Sequence, residues 1–283
     1  MNKLNISRIN FIVLISLMSS CKNEALVTIP DPNFHIYLCF GQSNMEGVGV
    51  IETQDSLDDS RFLVYQSMDC PEQGFVHDEW RTATPPICNC NSGHSPADYF
   101  GRSMIAAQPK EIKVGLVSVA IGGCDIRLFD KDIYQDYDST YAESWFADKV
   151  AYYNGNPYEF LIKQAKKVQK DGVIKGILLH QGETNTGDTL WPSYVQKIYD
   201  ELLEDLSLEA TNVPLLAGEV VRGDSSCCTH MNPIINTLPE YIETAHIISS
   251  EELGAMDRAH FDSEGYRELG KRYAKKMLEL QAD

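Results

Sequence analysis

Residues 34–47 read FHIYLCFGQSNMEG, an apolar run that leads into a glycine turn carrying Ser43. The run at 34–40 has the length and composition of a buried strand. A serine directly after such a strand lies at its carboxyl end, where open α/β sheets bind their ligands. The stretch therefore predicts an α/β protein with Ser43 in a cleft at one edge of the sheet.

Four more short apolar runs predict strands, and segments with helical periodicity lie between them. The further strands are expected at 114–121, 174–180, 213–219 and 246–249. Helices are expected at 96–107, 158–170, 193–206, 233–244 and 263–280. This alternation predicts an α/β fold, a three-layer α/β/α sandwich with a central parallel five-stranded sheet.

Reactive side chains and glycines follow four of the five predicted strands. They are Ser43 after the first strand, Gly122 and Gly123 after the second, Gln181 and Glu183 after the third, and Asp257 and His260 after the fifth. The carboxyl ends of parallel strands meet at one edge of a sheet. Residues that are far apart in the chain are therefore expected to share one cleft.

The segment 257–260, Asp-Arg-Ala-His, supplies what a catalytic serine needs. His260 can act as the general base for Ser43, and Asp257 can orient the imidazole and stabilise its charged form. Without such partners, Ser43 would be a serine that caps its own turn. The glycines at 41 and 47 do not follow the G-x-S-x-G spacing of the α/β-hydrolases, so the pattern indicates a serine esterase of another fold.

Four segments together resemble the conserved blocks of the SGNH hydrolase superfamily, in the same order. They are GQSNMEG at 41–47, AIGG at 120–123, HQGE at 180–183 and DRAHF at 257–261. Within the superfamily they are most similar to the sialate O-acetylesterase domain group, which includes bacterial and plant acetylxylan esterases. The resemblance runs from about Phe34 to Leu280 and implies a flavodoxin-like SGNH hydrolase fold.

The resemblance also implies roles for individual residues. Backbone N–H groups of Ser43 and of Gly122 or Gly123 are expected to form the oxyanion hole, because glycine allows a close backbone approach. Gln181 occupies the position of the superfamily's asparagine and is expected to be the third donor, with a buried hydrogen bond at the end of its strand as the alternative. Gln42 and Glu183 are expected to bind substrate, and for Glu183 assistance to His260 or a structural salt bridge are alternatives.

The expected function is hydrolysis of acetyl esters on a polysaccharide or oligosaccharide, similar to acetylxylan, with no metal and no organic cofactor. Deacetylation of sialic acid is the alternative, and a lipid or aryl esterase is a third. A non-catalytic sugar-binding lipoprotein is the alternative of another class. The net charge of −17 disfavours nucleic acid and anionic membrane surfaces as partners, because both require clustered Lys and Arg.

The insertion at about 123–157 is rich in aromatic residues, namely Tyr134, Tyr137, Tyr141, Trp145, Phe146, Tyr152 and Tyr153. Aromatic rings beside a cleft can stack on the apolar faces of sugars. They can equally close a small core beneath a long loop. Both interpretations remain open at the level of sequence.

The N-terminus has Lys3 and Arg8, an apolar run from Phe11 to Met18, and then Ser-Ser-Cys ending at Cys21. The run is too short to span a bilayer. The pattern resembles a bacterial lipoprotein signal, with an ordinary secretion signal as the alternative. It implies a signal peptide at 1–20, a tether at 21–32 and the esterase domain at 33–283. The protein is expected outside the cytoplasm, in the outer membrane or periplasm or secreted, with membrane contact only through a lipid on Cys21.

An extracytoplasmic location permits disulfides. Seven cysteines follow Cys21, and their spacings do not match those of zinc ligands. Cys70 is expected to pair with Cys88 or Cys90, and Cys227 with Cys228. Cys39, inside the first strand, is expected to be a buried apolar residue.

Overall fold

The computed structural model describes residues 29–138 and 144–282. The strands in these ranges are β1 (Phe34–Gly41), β2 (Phe62–Tyr65), β3 (Trp80–Thr82), β4 (Lys113–Ala120), β5 (Val173–His180), β6 (Leu215–Gly218) and β7 (Ala245–Ile248). They form one sheet in the order β3-β2-β4-β1-β5-β6-β7. Neighbouring strands are parallel except for β2 and β3.

Helices cover both faces of this sheet. Those in the described ranges are α1 (Ser43–Glu46), α2 (Pro96–Ala107), α3 (Tyr134–Asp138), α4 (Ser144–Ala151), α5 (Pro157–Val168), α6 (Trp191–Leu206), α7 (Asn232–Ile235) and α8 (Ser263–Ala282). Apolar residues of α2 and α8 pack with Tyr37 and Cys39 of β1. Apolar residues of α5 and α6 pack with Leu38 and Phe40 on the opposite face. Because successive side chains of a strand point to opposite faces, β1 is buried on both sides.

The predicted three-layer α/β sandwich is confirmed, and the five predicted strands correspond to β1, β4, β5, β6 and β7. The expected number of strands was too low, since β2 and β3 extend the sheet at one edge. These two strands have four and three residues, and β3 pairs antiparallel to its neighbour. Runs of that length show too little periodicity to identify a strand from sequence.

The prediction of one helix over 233–244 is wrong. The segment contains α7, which ends at Ile235, and a separate 3-10 turn at Leu238–Glu240. Pro239 lies in the middle of the expected helix, where its ring removes a backbone N–H and clashes with the preceding turn. The other four helices lie where they are expected, to within a few residues.

Within residues 29–138 and 144–282 two disulfides are present, Cys70–Cys90 and Cys227–Cys228. The expectation of a vicinal bond is confirmed, and of the two alternatives for Cys70 the pairing with Cys90 is the one observed. Cys39, Cys88 and Cys124 are buried thiols. The Cys70–Cys90 bond holds together the long connection between β2 and α2.

The expected signal peptide at 1–20 and Cys21 lie outside the described residues, as do Tyr141 and most of the tether. Among the helices of the described ranges, none has both the length and the apolar character that crossing a membrane requires. The sheet positions the site through its register. Gly41 at the end of β1 pairs with Ala120 at the end of β4 and with His180 at the end of β5.

Candidate active site

Ser43, His260 and Asp257 form a hydrogen-bonded chain at the carboxyl edge of the sheet. Ser43 is the first residue of α1 and is 8% exposed. Its Oγ lies 2.9 Å from Nε2 of His260, and Nδ1 of His260 lies 2.8 Å from Oδ2 of Asp257. The structure therefore brings together the three residues that the sequence pattern selected, in the order that a serine-histidine-carboxylate triad requires.

Asp257 also holds its own loop in shape. One carboxylate oxygen accepts the backbone N–H groups of Ala259 and His260, each at 2.8 Å. Partial burial works to raise the pKa of Asp257, but the hydrogen bonds from His260 and from these two N–H groups outweigh it and hold the pKa below its usual range. An ionised Asp257 is the form that keeps a proton on Nδ1 of His260 and leaves Nε2 free to accept one from Ser43.

Asn44 fastens the serine turn to the histidine loop, and its importance was missed in the sequence. Its Nδ2 donates to Oε1 of Glu183 and, at 2.9 Å, to the carbonyl of Ala259. Its Oδ1 accepts the hydroxyl proton of Tyr266 at 2.6 Å. Because Ala259 precedes His260, Asn44 sets the distance between nucleophile and base. Its place next to Ser43 in the first motif was the only available signal.

The two glycines after β4 have different surroundings. The N–H of Gly122 donates to Oε2 of Glu46 at 2.8 Å. This N–H is therefore not available to an oxyanion, and the expectation that Gly122 is a donor is corrected. Gly123 has a φ of +82°, which favours glycine. For the N–H groups of Gly123 and Ser43, no acceptor is found within residues 29–138 and 144–282. These two groups are the ones available to an oxyanion.

Gln181 is buried and its amide group is fully engaged. Its Nε2 lies 2.7 Å from Oδ1 of Asn185, 3.0 Å from Oε1 of Gln42 and 3.1 Å from the carbonyl of Cys124, and its Oε1 accepts from Trp191. An NH₂ group has two protons, and three acceptors already surround it. The expectation that Gln181 donates to the oxyanion is therefore corrected: in this structure it braces the neighbouring strand ends.

Gln42 belongs to the same internal network. It is 3% exposed, and its Oε1 also accepts the backbone N–H groups of Gly182 at 3.4 Å and Thr184 at 3.3 Å. The oxygen is thus engaged inside the protein, whereas Nε2 of Gln42 has no hydrogen-bond partner among the described residues, so substrate binding by Gln42 stays a prediction for this NH₂ group. Its amide oxygen joins the turn after β1 to the turn after β5.

Glu183 lies beside the triad without a hydrogen bond to His260, whose two ring nitrogens face Asp257 and Ser43. The Glu183 side chain is 6% exposed, and its Oε2 has no partner among the described residues. Burial raises the pKa of Glu183 to about 7. The neighbouring His180 is fully buried, and burial lowers its pKa to about 3, so the two do not form a salt bridge at neutral pH.

The aromatic insertion contributes rings to the core and leaves another ring exposed beside the candidate site. Phe146 and Tyr153 are buried in the core, and the Tyr153 hydroxyl donates to the carbonyl of Ala120 at 3.2 Å. Trp145 is 48% exposed, and its ring passes so close to Gly123 that a Cβ at that position would lie 3.2 Å from it. One aromatic ring of the insertion therefore borders the candidate oxyanion site.

Two clusters of potential metal ligands occur in the described ranges, and neither includes a residue of the triad. Asp55, His94 and Asp98 form the first, but Arg267 pairs with Asp55 and Arg102 pairs with Asp98. The second consists of Asp130, Asp132 and Glu201, which all pair with Lys197. These cations already balance the carboxylates.

A cavity of about 830 Å³ lies at the opposite edge of the sheet, where it is lined by residues such as His35 and Lys175.

Comparison with known proteins gives one family and several similar structures. Residues 33–279 match the model of a family described as carbohydrate esterase, sialic acid-specific acetylesterase. A solved protein from Arabidopsis thaliana shares 18% identity at a TM-score of 0.65, over 88% of this chain and 99% of that one. NanS shares 14% sequence identity at a TM-score of 0.63, over 90% of this chain and 99% of that one. A carbohydrate acetylesterase from Xanthomonas citri shares 17% sequence identity at a TM-score of 0.59, over 84% of this chain and 55% of that one. At these identities the structural likenesses show the fold alone.

The buried Glu183 makes stability depend on pH in a defined direction. Its pKa in the folded protein, about 7, exceeds the ordinary value of 4.5, so the folded state holds the proton more tightly than the unfolded state. Its stabilising contribution is full below pH 4.5 and is lost as the pH rises through 7. We expect Glu183→Gln to remove this loss, which amounts to about 1 kcal/mol per pH unit in that window.

Urea unfolding at several pH values between 4.5 and 8 gives the free energy of unfolding of wild type and of Glu183→Gln. The difference between the two isolates Glu183, because the contributions of the other titrating groups cancel. Glu159→Gln, on an exposed helix surface, is the control and should run parallel to wild type. A difference between Glu183→Gln and wild type that stays constant with pH would contradict the assignment.

Proposed function

Because this chain belongs to the carbohydrate esterase family of sialic acid-specific acetylesterases, we propose that it hydrolyses acetyl esters of carbohydrates with Ser43 as nucleophile, His260 as general base and Asp257 as orienting acid. The observation that carries this assignment is the 2.9 Å contact of Ser43 Oγ with His260 Nε2, with Asp257 on the opposite ring nitrogen. Family membership makes the protein an acetylesterase. The geometry supports the assignment of the catalytic steps to Ser43, His260 and Asp257.

In the first half of the reaction, Ser43 Oγ attacks the acetyl carbonyl while its proton passes to Nε2 of His260. The negative charge that develops on the carbonyl oxygen is stabilised by the N–H groups of Ser43 and Gly123. When the carbon–oxygen bond to the sugar breaks, His260 returns the proton to the departing hydroxyl. An acetyl group then remains on Ser43.

In the second half, water attacks the acetyl carbon while His260 accepts a proton from it. His260 then gives this proton to Ser43 Oγ as the ester bond breaks, and acetic acid leaves and ionises to acetate. Asp257 remains ionised throughout and stabilises the imidazolium that forms in each half. Each step needs only groups of the chain, the substrate and water.

We propose acetylated polysaccharide or oligosaccharide, similar to acetylxylan, as the substrate. The half-exposed Trp145 ring beside Gly123 supports a sugar next to the acetyl group, because aromatic faces stack on the apolar faces of pyranoses. The solved Xanthomonas citri protein carries the name of a carbohydrate acetylesterase. O-acetylated sialic acid is the second candidate, and the description of the matching family favours it.

We also propose that the protein acts outside the cytoplasm, anchored through a lipid on Cys21. The lipoprotein-like segment that ends at Cys21 supports this location. The disulfides Cys70–Cys90 and Cys227–Cys228 are consistent with it, because such bonds persist in oxidising compartments.

Substitutions in the triad should reduce turnover of p-nitrophenyl acetate to different extents. Ser43→Ala and His260→Ala should nearly abolish it, because the serine hydroxyl is a weak nucleophile without its base. Asp257→Asn should lower kcat by up to about 10⁴-fold, since an amide can hold the imidazole in the wrong tautomer. The Ser43→Ala/His260→Ala double variant should be little worse than either single one.

Ser56→Ala and His230→Ala, at exposed positions, are the matched controls and should leave kcat unchanged. Failure of folded wild type to hydrolyse the probe would favour a sugar-binding protein without catalysis. Near-full activity of Asp257→Asn together with loss in Glu183→Gln would make Glu183 the orienting acid instead.

Acetate release from acetylated xylo-oligosaccharides and from 9-O-acetyl sialic acid, measured in parallel, distinguishes the two substrates. We expect a higher kcat/KM for the xylo-oligosaccharides. A preference of tenfold or more for the sialic acid, equal to about 1.4 kcal/mol in transition-state binding, would overturn that choice.

The anchor is tested by cell fractionation of the full-length protein. Wild type should separate with membranes, and Cys21→Ser should be released or incorrectly processed while its esterase domain stays active. Identical soluble behaviour of the two forms would show that Cys21 carries no lipid.

A further inference from the structure

Glu46 is a buried carboxylate directly behind the candidate oxyanion site. It is 4% exposed and follows Ser43 by three residues, at the end of the same short helix. Its Oε2 accepts the N–H of Gly122 at 2.8 Å and a proton of Lys149 Nζ at 2.7 Å. Its Oε1 accepts from Lys149 at 2.9 Å and from Nδ2 of Asn89 at 2.8 Å. Each carboxylate oxygen of Glu46 thus accepts two hydrogen bonds.

These donors come from segments that are far apart in the chain. Gly122 belongs to the turn after β4, and Asn89 immediately precedes Cys90 of the Cys70–Cys90 disulfide. Lys149 lies on α4, the helix that also carries Trp145 across Gly123. A single carboxylate therefore joins the serine helix, the glycine turn, the disulfide loop and the aromatic insertion.

The packing at Gly122 shows how closely this group approaches the reacting serine. A Cβ at position 122 would lie 2.6 Å from Glu46 Oε2, 2.9 Å from Lys149 Nζ and 3.5 Å from the Ser43 Cβ. These three groups surround one point beside Gly122, so only a residue without a Cβ fits between the serine helix and the Glu46–Lys149 pair. When the Gly122 N–H is directed to Glu46, the next N–H along the turn, that of Gly123, is left for the oxyanion.

The charge of Lys149 is needed for this arrangement to favour the reaction. A carboxylate near a developing oxyanion opposes it, since two like charges a few ångströms apart repel strongly in a region shielded from water. The ammonium group, 2.7 Å from the carboxylate, cancels that repulsion. The side chain of Lys149 is 33% exposed, so solvent weakens the effect without removing it.

We propose that Glu46 and Lys149 are positioning residues of the oxyanion hole: Glu46 fixes the Gly122–Gly123 turn, and Lys149 neutralises the charge that this requires. The inference rests on the proposed function of Ser43. It assigns no contact between either side chain and the substrate. A merely structural pair would affect folding, whereas this pair acts on the transition state and therefore on kcat.

Four variants separate the two contributions of the pair. Glu46→Ala removes the acceptor for Gly122 and should lower kcat by about 10²-fold with little change in KM, the loss typical of a disturbed oxyanion hole. Lys149→Met leaves the carboxylate unbalanced and should lower kcat about tenfold. Glu46→Gln/Lys149→Met keeps an acceptor for Gly122 without net charge, so it should recover most of the Lys149→Met loss. Glu46→Ala/Lys149→Met should not recover.

The measurements are kcat and KM for p-nitrophenyl acetate, referred to the concentration of active serines titrated with a phosphonate ester, together with thermal unfolding. Glu159→Gln/Lys163→Met, at an exposed pair on α5, is the control and should behave as wild type. Unchanged kcat per active serine in Glu46→Ala, or no recovery in Glu46→Gln/Lys149→Met, would overturn the inference even if unfolding temperatures fall. An active Ser43→Ala would instead overturn the proposed function, so the two failures are distinguishable.

Discussion

The level ends of three adjacent parallel strands are the constraint on which the site depends. Gly41 of β1 pairs with Ala120 of β4 and with His180 of β5. It has a φ of +145°, and a Cβ there would lie 2.1 Å from the carbonyl oxygen of His180. Only glycine allows the chain to leave β1 so close to β5. For this reason Ser43, the glycine turn and the Gln181–Glu183 turn all begin at the same level along the strand direction, just beyond the carboxyl edge of the sheet.

Above the strand ends, buried amide side chains hold these turns together. Gln42 and Gln181 link the turns after β1 and β5, and Asn44 links the serine turn to the loop that carries His260. Each of these side chains is at most 3% exposed. Buried polar groups that each make several hydrogen bonds are rigid, because moving one leaves several hydrogen bonds unmade at low local dielectric. The reacting groups are thereby held in place before substrate arrives, which is what electrostatic stabilisation of a transition state requires.

The pKa values of Asp257 and Glu183 are shifted in opposite directions because the surroundings of the two carboxyl groups differ. Asp257 receives hydrogen bonds from His260 and two backbone N–H groups, which lower its pKa. Glu183 has one donor from Asn44 and an oxygen without a partner, and burial raises its pKa to about 7. Glu46 has four hydrogen-bond contacts, two of which come from the ammonium group of Lys149. The site thus places an ionised carboxylate where the imidazolium forms, and balances the one behind the glycine turn with Lys149.

The sequence by itself determined the α/β architecture, and it selected Ser43, His260 and Asp257, the three side chains that the fold brings into one hydrogen-bonded chain. Strand identity follows from local apolar runs, and the carboxyl ends of parallel strands share one edge whatever the loops between them do. Tertiary structure decided which donors are free. Gln181 and Gly122 matched a pattern of residue types, but their N–H groups already donate to distant segments. Nε2 of Gln181 faces Gln42 and the carbonyl of Cys124, and the N–H of Gly122 donates to Glu46. A hydrogen-bonding group can serve an oxyanion only if nothing else satisfies it, and that depends on residues brought together by folding rather than on residues nearby in the chain.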